Sequence, residues 1–499
     1  MEGDATEGVV FPLSADGRRS TSAVGRAVVA DALRPVDPAG AVGAEQEANW
    51  RSGYLVHFRR LVEAGLPSRA AALSVARDGL GSLHARMRVA GPAGKETELD
   101  AVLSAPALDS FATLSVPGAG QRETELSLPY RGERLRGDAL ARQLEAWVSG
   151  GVIEPSCAEA VREVAAHPEW LRLPGRTVIA LGAGAEVGPL EVLLRWGVRV
   201  AGVDLPSPTV WERVLRMARQ GAGELLVPVN REVPAALGPD AGDEAIARRA
   251  GLNLVRGVPD AADWLAGLDG PLVLGNYVYA DGGANVAACA AADALTLRLQ
   301  AARGDVALAF LATPTDVFAV PPDAVACSVR AYAARSRTAK LVARPLRAVS
   351  GGRLLRRAYV PGADPGISDT LVPQQGPNYA LAKRLQRWRA TVAREAGTTV
   401  SLNVAPPTRT RSVMKNRMLA AAYAGAHWFG AEVFEPATTR MLMAALLVHD
   451  LQATRPAHAH PWQDEAHAAA HGGLWRIAYA PRSALGLAAL LGIPGSAGS

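Results

Sequence analysis

Tyr379 and Lys383 stand four residues apart in the stretch NYALAKRLQRWRATVAREAG, whose pattern predicts a helix from about residue 378. That spacing puts both side chains on one helix face. An ammonium group beside a phenol favours the phenolate, so the pair is expected to lower the tyrosine pKa and make it an acid or base near neutral pH. The basic residues of the chain are overwhelmingly arginine; lysine occurs only at Lys95, Lys340, Lys383 and Lys415. Chance would place such a pair about 0.07 times, nine tyrosines times four lysines over 499 residues. The plainer alternative is a packed tyrosine and a solvated lysine.

A second group lies upstream, in RTVIALGAGAEVGPLEVLLRWGVRVAGVDL from Arg176 onward. A short apolar run at 178–181 is followed by Gly182, Gly184 and Gly188, a helix-like period at 189–196, and a second apolar run at 198–203 that ends at Asp204. Glycines at such a turn let backbone approach a phosphate or sugar. An acid about 20 residues further on is placed to accept hydrogen bonds from ribose hydroxyls. The expected ligand of Gly182, Gly184, Glu186, Val187, Gly188 and Asp204 is therefore a nucleotide; a ligand-free βα turn is the alternative.

The elements that must position these residues alternate along the chain. Apolar strands are predicted near 225–229, 271–279, 306–311 and 399–404, with helices between them. This pattern predicts an α/β fold, a doubly wound parallel sheet covered on both faces. Ligands of such sheets sit at the carboxyl ends of the strands, which places Asn276, Thr313 and Thr315 on one rim with the glycine turn. Residues 1–43 read as a loose N-terminal arm, 44–170 as a mainly helical accessory region covering or dimerising the rest, and 171–499 as a nucleotide-binding domain. Within the last, residues about 316–376 form a basic insertion, with no acid between Asp323 and Asp364. Such an unmixed run suits a phosphate-bearing or acyl-carrier-linked substrate, or the acidic accessory region, as well as a plain solvated surface.

From about Arg176 to Gly473 the chain resembles the short-chain dehydrogenase/reductases. Gly182 to Gly188 is similar to that family's TGxxxGxG turn, and Asp204 to the acid that selects NAD over NADP. Tyr379 and Lys383 match its Tyr-x-x-x-Lys, and residues 401–407, ending at Pro407, resemble the segment near the nicotinamide. The late layout, with its closing GGLW, is weakly similar to the ketoreductases of large fatty-acid synthases. The resemblance implies a Rossmann-like fold and an NAD(P)-dependent oxidoreductase that reduces a carbonyl or oxidises an alcohol. Tyr379 would protonate the carbonyl oxygen, and Lys383 would hold the ribose and lower the tyrosine pKa. Asn276 or Asn285 would take the usual asparagine's place, and Thr313 or Ser368 that of the substrate-polarising serine. Departures from the pattern are Leu181 for the family's threonine, Glu186 for the middle glycine, GNYVYADGG where NAG is usual, and about sixty residues between the fifth strand and Tyr379.

Composition bounds the remaining choices. At 499 residues, 49% hydrophobic and 20% charged, the chain is long enough for two or more domains and is not a disordered sequence. A net charge of +5 is too small at this size to argue for nucleic acid. Cys157, Cys289 and Cys327 are odd in number and widely spaced, which suits a reducing compartment. His458, His460, His467 and His471 lack a cysteine or well-placed carboxylate, so no metal is expected. No secretory signal or membrane-length apolar run is seen, and the expected setting is soluble and cytoplasmic, without membrane partners. The partner expected is a small carbonyl or alcohol, with a homodimer as a further expectation. NAD is the first-choice cofactor and NADP the second. An S-adenosylmethionine-dependent methyltransferase is the competing function, because the glycine turn and Asp204 fit it equally while leaving Tyr379 and Lys383 unexplained. A catalytically inactive nucleotide-binding relative is the third.

Overall fold

Continuous apolar runs of five to seven residues form the centre of the molecule. The computed structural model describes residues 7–91, 94–231, 242–454 and 456–496. Seven strands make one sheet: β1 (Phe111–Pro117), β2 (Thr177–Leu181), β3 (Arg199–Val203), β4 (Glu224–Asn230), β5 (Leu272–Asn276), β6 (Val306–Ala312) and β7 (Val400–Val404). Their spatial order is β7-β6-β5-β2-β3-β4-β1. All pairs are parallel except β1 with β4. Counted from β2, the six parallel strands run 3-2-1-4-5-6, the order of doubly wound dinucleotide-binding sheets, with the switch point between β2 and β5. The register there pairs Ile179 with Leu274 and Leu181 with Asn276.

Both faces of the sheet are covered, which is why its strands read as unbroken apolar runs rather than alternating ones. Successive side chains of β2 go to opposite faces. Ile179 and Leu181 join a core with Val28, Tyr54, Phe58 and Leu83 from the N-terminal helices, and with Leu295 and Leu385 from Gly283–Ala302 and Gly376–Glu395. Val178 and Ala180 join the other core, with Leu144, Val161, Leu193, Leu215 and Leu446.

The chain before residue 171 is accordingly distributed over three parts of the structure. Helices Thr21–Leu33, Trp50–Gly65 and Arg69–Arg86 cover the first face, β1 extends the sheet, and Gly137–Ser149 and Pro155–Ala166 cover the second face. The expectation of a loose arm over 1–43 is corrected for residues 7–43. Gly8–Val10 pairs with Arg88–Ala90, and Thr21–Leu33 buries Val28, Val29 and Leu33 completely. Small Ala and Gly side chains hid this helix, because they pack closely while showing little apolar contrast. Residues 1–6 of that arm lie outside the described residues.

The basic insertion forms an antiparallel strand pair, Val317–Val320 with Gly366–Asp369, and two helices between them, Pro322–Ala333 and Arg337–Val349. Asp316 anchors its start. The buried carboxylate accepts from Arg384 Nη2 at 2.7 Å and Arg387 Nη1 at 2.6 Å, and Arg387 also pairs with Glu465 at 2.5 Å. Burial alone would raise the Asp316 pKa; the two guanidinium groups outweigh it and hold it below its usual value. Arg330, Arg337, Lys340, Arg344, Arg353 and Arg356 are exposed, and among the described residues none of them is ion-paired.

Candidate functional site

β2 ends at Leu181 and the chain turns through Gly182, whose φ is +82°. A Cβ there would lie 2.8 Å from the Tyr277 carbonyl, so the residue after β2 must be glycine for the chain after β5 to pass this close. Gly184 is held from two sides. Its N–H donates to Asp204 Oδ2 at 2.8 Å, and its carbonyl accepts from Arg213 Nη2 at 2.6 Å. A Cβ on Gly184 would stand 2.6 Å from that Nη2. Asp204 Oδ1 accepts from the Leu205 N–H at 2.8 Å. Each carboxylate oxygen therefore keeps an acceptor site for another donor. Val187 is half-buried in the turn, and Gly188 packs against Ala185 and Tyr277.

Glu186 accepts from the Arg411 N–H at 2.9 Å and lies 3.5 Å from Arg411 Nε. This bond ties the glycine turn to the segment after β7. Below the turn is a cavity of about 220 Å³ lined by Gly184, Glu186, Glu191, Arg213, Arg411 and Arg440 among others. Burial holds the Arg440 pKa below its usual value against the opposing pull of Glu186. Arg411 is paired with Glu186 and Arg440 with Glu191, which leaves Arg213 as the arginine of this lining without a carboxylate partner among the described residues; none of the three carries a recognisable motif. Arg213 could have been found only by folding helix Pro208–Gln220 back over the turn.

The second cluster lies at the carboxyl ends of β5 and β6. Tyr379 is on the first turn of helix Gly376–Glu395, with its ring centroid 6.3 Å from that of Tyr279. Burial raises the phenol pKa, and a hydrogen bond from Thr313 only partly offsets it. Thr313 Oγ1 is 2.9 Å from Thr315 Oγ1, which accepts from Gln375 Nε2 at 2.8 Å. Lys383 donates to the Leu311 carbonyl at 3.2 Å and to Gln386 Oε1 at 3.0 Å. Burial lowers its pKa, opposed by Cys289 and Asp316. Gln386 Nε2 in turn donates to Asn276 Oδ1 at 3.2 Å.

The expectation that Lys383 would depress the Tyr379 pKa is therefore corrected. The ammonium group turns down onto the end of β6, and the phenol is shifted up rather than down. At neutral pH Tyr379 holds its proton and can act as a donor. Asn276, Gln386 and Lys383 form a buried polar chain beneath it; Gln386 was not singled out in the sequence. Asn285 is buried on the next helix and accepts from the Ala280 N–H. Ser368 is placed elsewhere, buried on the strand pair of the insertion opposite Phe318. Pro407 lines an apolar cavity that also reaches Thr315.

The histidines of the C-terminal segment have separate duties. His471 is fully buried and 2.8 Å from Glu154, while His460 faces the Gly65 carbonyl at 3.1 Å. Among the described residues no group of three or more His, Cys, Asp or Glu side chains is arranged to hold a metal, and no helix is long and apolar enough to cross a membrane.

No family model matches the chain, and no curated protein matches it. A solved structure, the terminal R domain from the myxalamid PKS-NRPS biosynthetic pathway, aligns at 15% identity with a TM-score of 0.26. The alignment covers 58% of this chain and 62% of that one, so it spans less than two thirds of that domain.

Proposed function

We propose that this Rossmann-like chain is a nucleotide-dependent oxidoreductase that reduces a carbonyl, or oxidises the corresponding alcohol, at the carboxyl ends of β5 and β6. The observation that carries the reading is the glycine turn at the switch point of a 3-2-1-4-5-6 sheet, fixed by Asp204 and Arg213. Gly184 is a cradle that a Cβ would fill, Asp204 has free acceptor sites for ribose hydroxyls, and Arg213, which has no carboxylate partner among the described residues, supplies charge for phosphate. NAD is the cofactor these features favour over NADP, because a second phosphate on the ribose would meet the Asp204 carboxylate.

The chemistry that a reduced nicotinamide held there would supply is hydride transfer to the carbonyl carbon. Tyr379 donates its phenolic proton to the carbonyl oxygen. Lys383, Gln386 and Asn276 brace the floor of the site, fixing the ends of β5 and β6 against the helix that carries Tyr379. A carrier-borne substrate would find the unpaired cations of the insertion.

Calorimetric titration of the whole protein with NADH, NADPH and S-adenosylmethionine tests the reading. NADH is expected to bind, and at 100 times its Kd to add about 2.7 kcal/mol of stability. Binding of S-adenosylmethionine alone would establish the methyltransferase alternative, and binding of none would leave a protein without nucleotide chemistry.

A further inference from the structure

A second cavity, apart from the one under the glycine turn, lies between helices Arg417–Gly425 and Pro481–Ser496 and reaches inward to Thr315. Its walls include Leu371, Val372, Tyr423, Phe429, Leu474 and Leu485. Arg482 carries the one formal charge of the lining, and it is already ion-paired to Asp369. The volume is about 80 Å³, and one water takes roughly 10–15 Å³ on the same scale, which leaves room for about five to eight non-hydrogen atoms. A cavity this poor in hydrogen-bonding groups gives water little to bind, and apolar cavities of this kind take hydrocarbon instead.

The two ends of the cavity differ. At the inner end Thr315 Oγ1 is 2.9 Å from Thr313 Oγ1, and the Thr313 hydroxyl opposes the rise that burial gives the Tyr379 pKa. Apart from Thr370 and the paired Arg482, the rest of the lining is aliphatic or aromatic, and the helices enclosing it meet through small residues: a Cβ on Gly425 or Gly492 would strike the facing backbone. The channel is therefore narrow, and its walls cannot part without breaking that contact.

We infer that this cavity binds the chain of an uncharged aliphatic compound of about six carbons, an aldehyde, ketone or alcohol, with its oxygen at Thr315. The position of the oxygen rests on the reading of Tyr379 as proton donor; the burial of the chain does not. A carboxylate is rejected, because the only cation at hand is neutralised by Asp369 and a second buried anion would have no partner.

The test measures binding of 1-hexanol, 1-butanol, 1-decanol and hexanoate to the whole protein without nucleotide, by calorimetry or ligand-observed NMR. Hexanol is expected to bind at least tenfold more tightly than butanol or hexanoate, with little further gain at decanol. Ala422→Phe fills the cavity and is expected to weaken hexanol at least tenfold. Ala426→Leu lies on the same wall at a half-buried position, and serves as the second variant should the first not fold. Equal binding to wild type and Ala426→Leu, equal affinity for hexanoate, or a steady gain through decanol would overturn the proposal. Hexanol binding in a protein that ignores every nucleotide would keep the cavity and remove the oxidoreductase reading; NADH binding with indifference to hexanol would do the reverse.

Discussion

Asp204 serves the fold and the proposed ligand with the same carboxylate. Its oxygens accept from Gly184 and Leu205, and what remains of their acceptor capacity faces the rim. Asp204→Asn keeps one acceptor and sets an amide N–H₂ against a backbone N–H, losing a charge-assisted bond of about 1.5–3 kcal/mol. The expected outcome is a fall in nucleotide affinity of tenfold or more with a lower Tm, read by titration and thermal melting. Tyr379→Phe is expected to abolish turnover while leaving nucleotide binding intact. Because burial raises the Tyr379 pKa, the wild-type rate of carbonyl reduction should show no alkaline loss from this group below about pH 10. A loss centred near pH 8 would point to a phenol depressed by Lys383 after all. The i,i+4 spacing correctly gave the face on which these two residues stand. It could not give the direction of the lysine, because the Leu311 carbonyl and Gln386 that capture the ammonium come from other parts of the structure or were not recognised.

At the scale of elements, the turn between β2 and the following helix was the most legible part of the chain. Its strands are unbroken apolar runs, and its glycines fall where backbone must pass close to backbone. Gly184→Ala tests this directly: the new Cβ meets Arg213 and Val210 and presses on Asp204, so nucleotide affinity should fall while the core is left intact. Gly182→Ala adds strain at a positive φ to a clash with Tyr277, and is expected to cost more than 1 kcal/mol of stability in chemical denaturation. By contrast, nothing in the strand at 111–117 marks it as part of the main sheet. Its partner, β4, lies more than a hundred residues away, and pairing over such a distance leaves no periodic trace.

The whole molecule is held by polar contacts that join its ends. Glu154, near the start of the second-face helices, bonds to His471 and Arg476. Burial would push its pKa up, but these partners hold the carboxyl at about 2. Its stabilising contribution is therefore complete above about pH 4.5 and lost as pH falls toward 2. Glu154→Gln should lower stability by about 3–5 kcal/mol at pH 7 and by little at pH 2.5. His84 shows the opposite sign. Burial lowers its pKa, yet bonds to Asp293 and Asp100 raise it above its usual value. Its contribution is fully present below about pH 6.5 and lost as pH rises through the folded value, so His84→Gln should destabilise more at pH 6 than at pH 9. Melting curves across pH check both.

The helix Gly376–Glu395 gathers these contacts from distant sequence: Arg389 meets Asp293, which meets His84, while Arg387 meets Asp316 and Glu465. During synthesis at about 5–20 residues per second, roughly 15–60 s pass between the emergence of His84 and that of Arg389. For that interval His84 waits for the helix that completes its network with Asp293. Until the strands at 177–312 emerge, the helices of the first hundred residues have no parallel sheet to cover with Tyr54, Phe58 and Leu83. The apolar side of the N-terminal quarter therefore finds its cover only after most of the sheet has been synthesised.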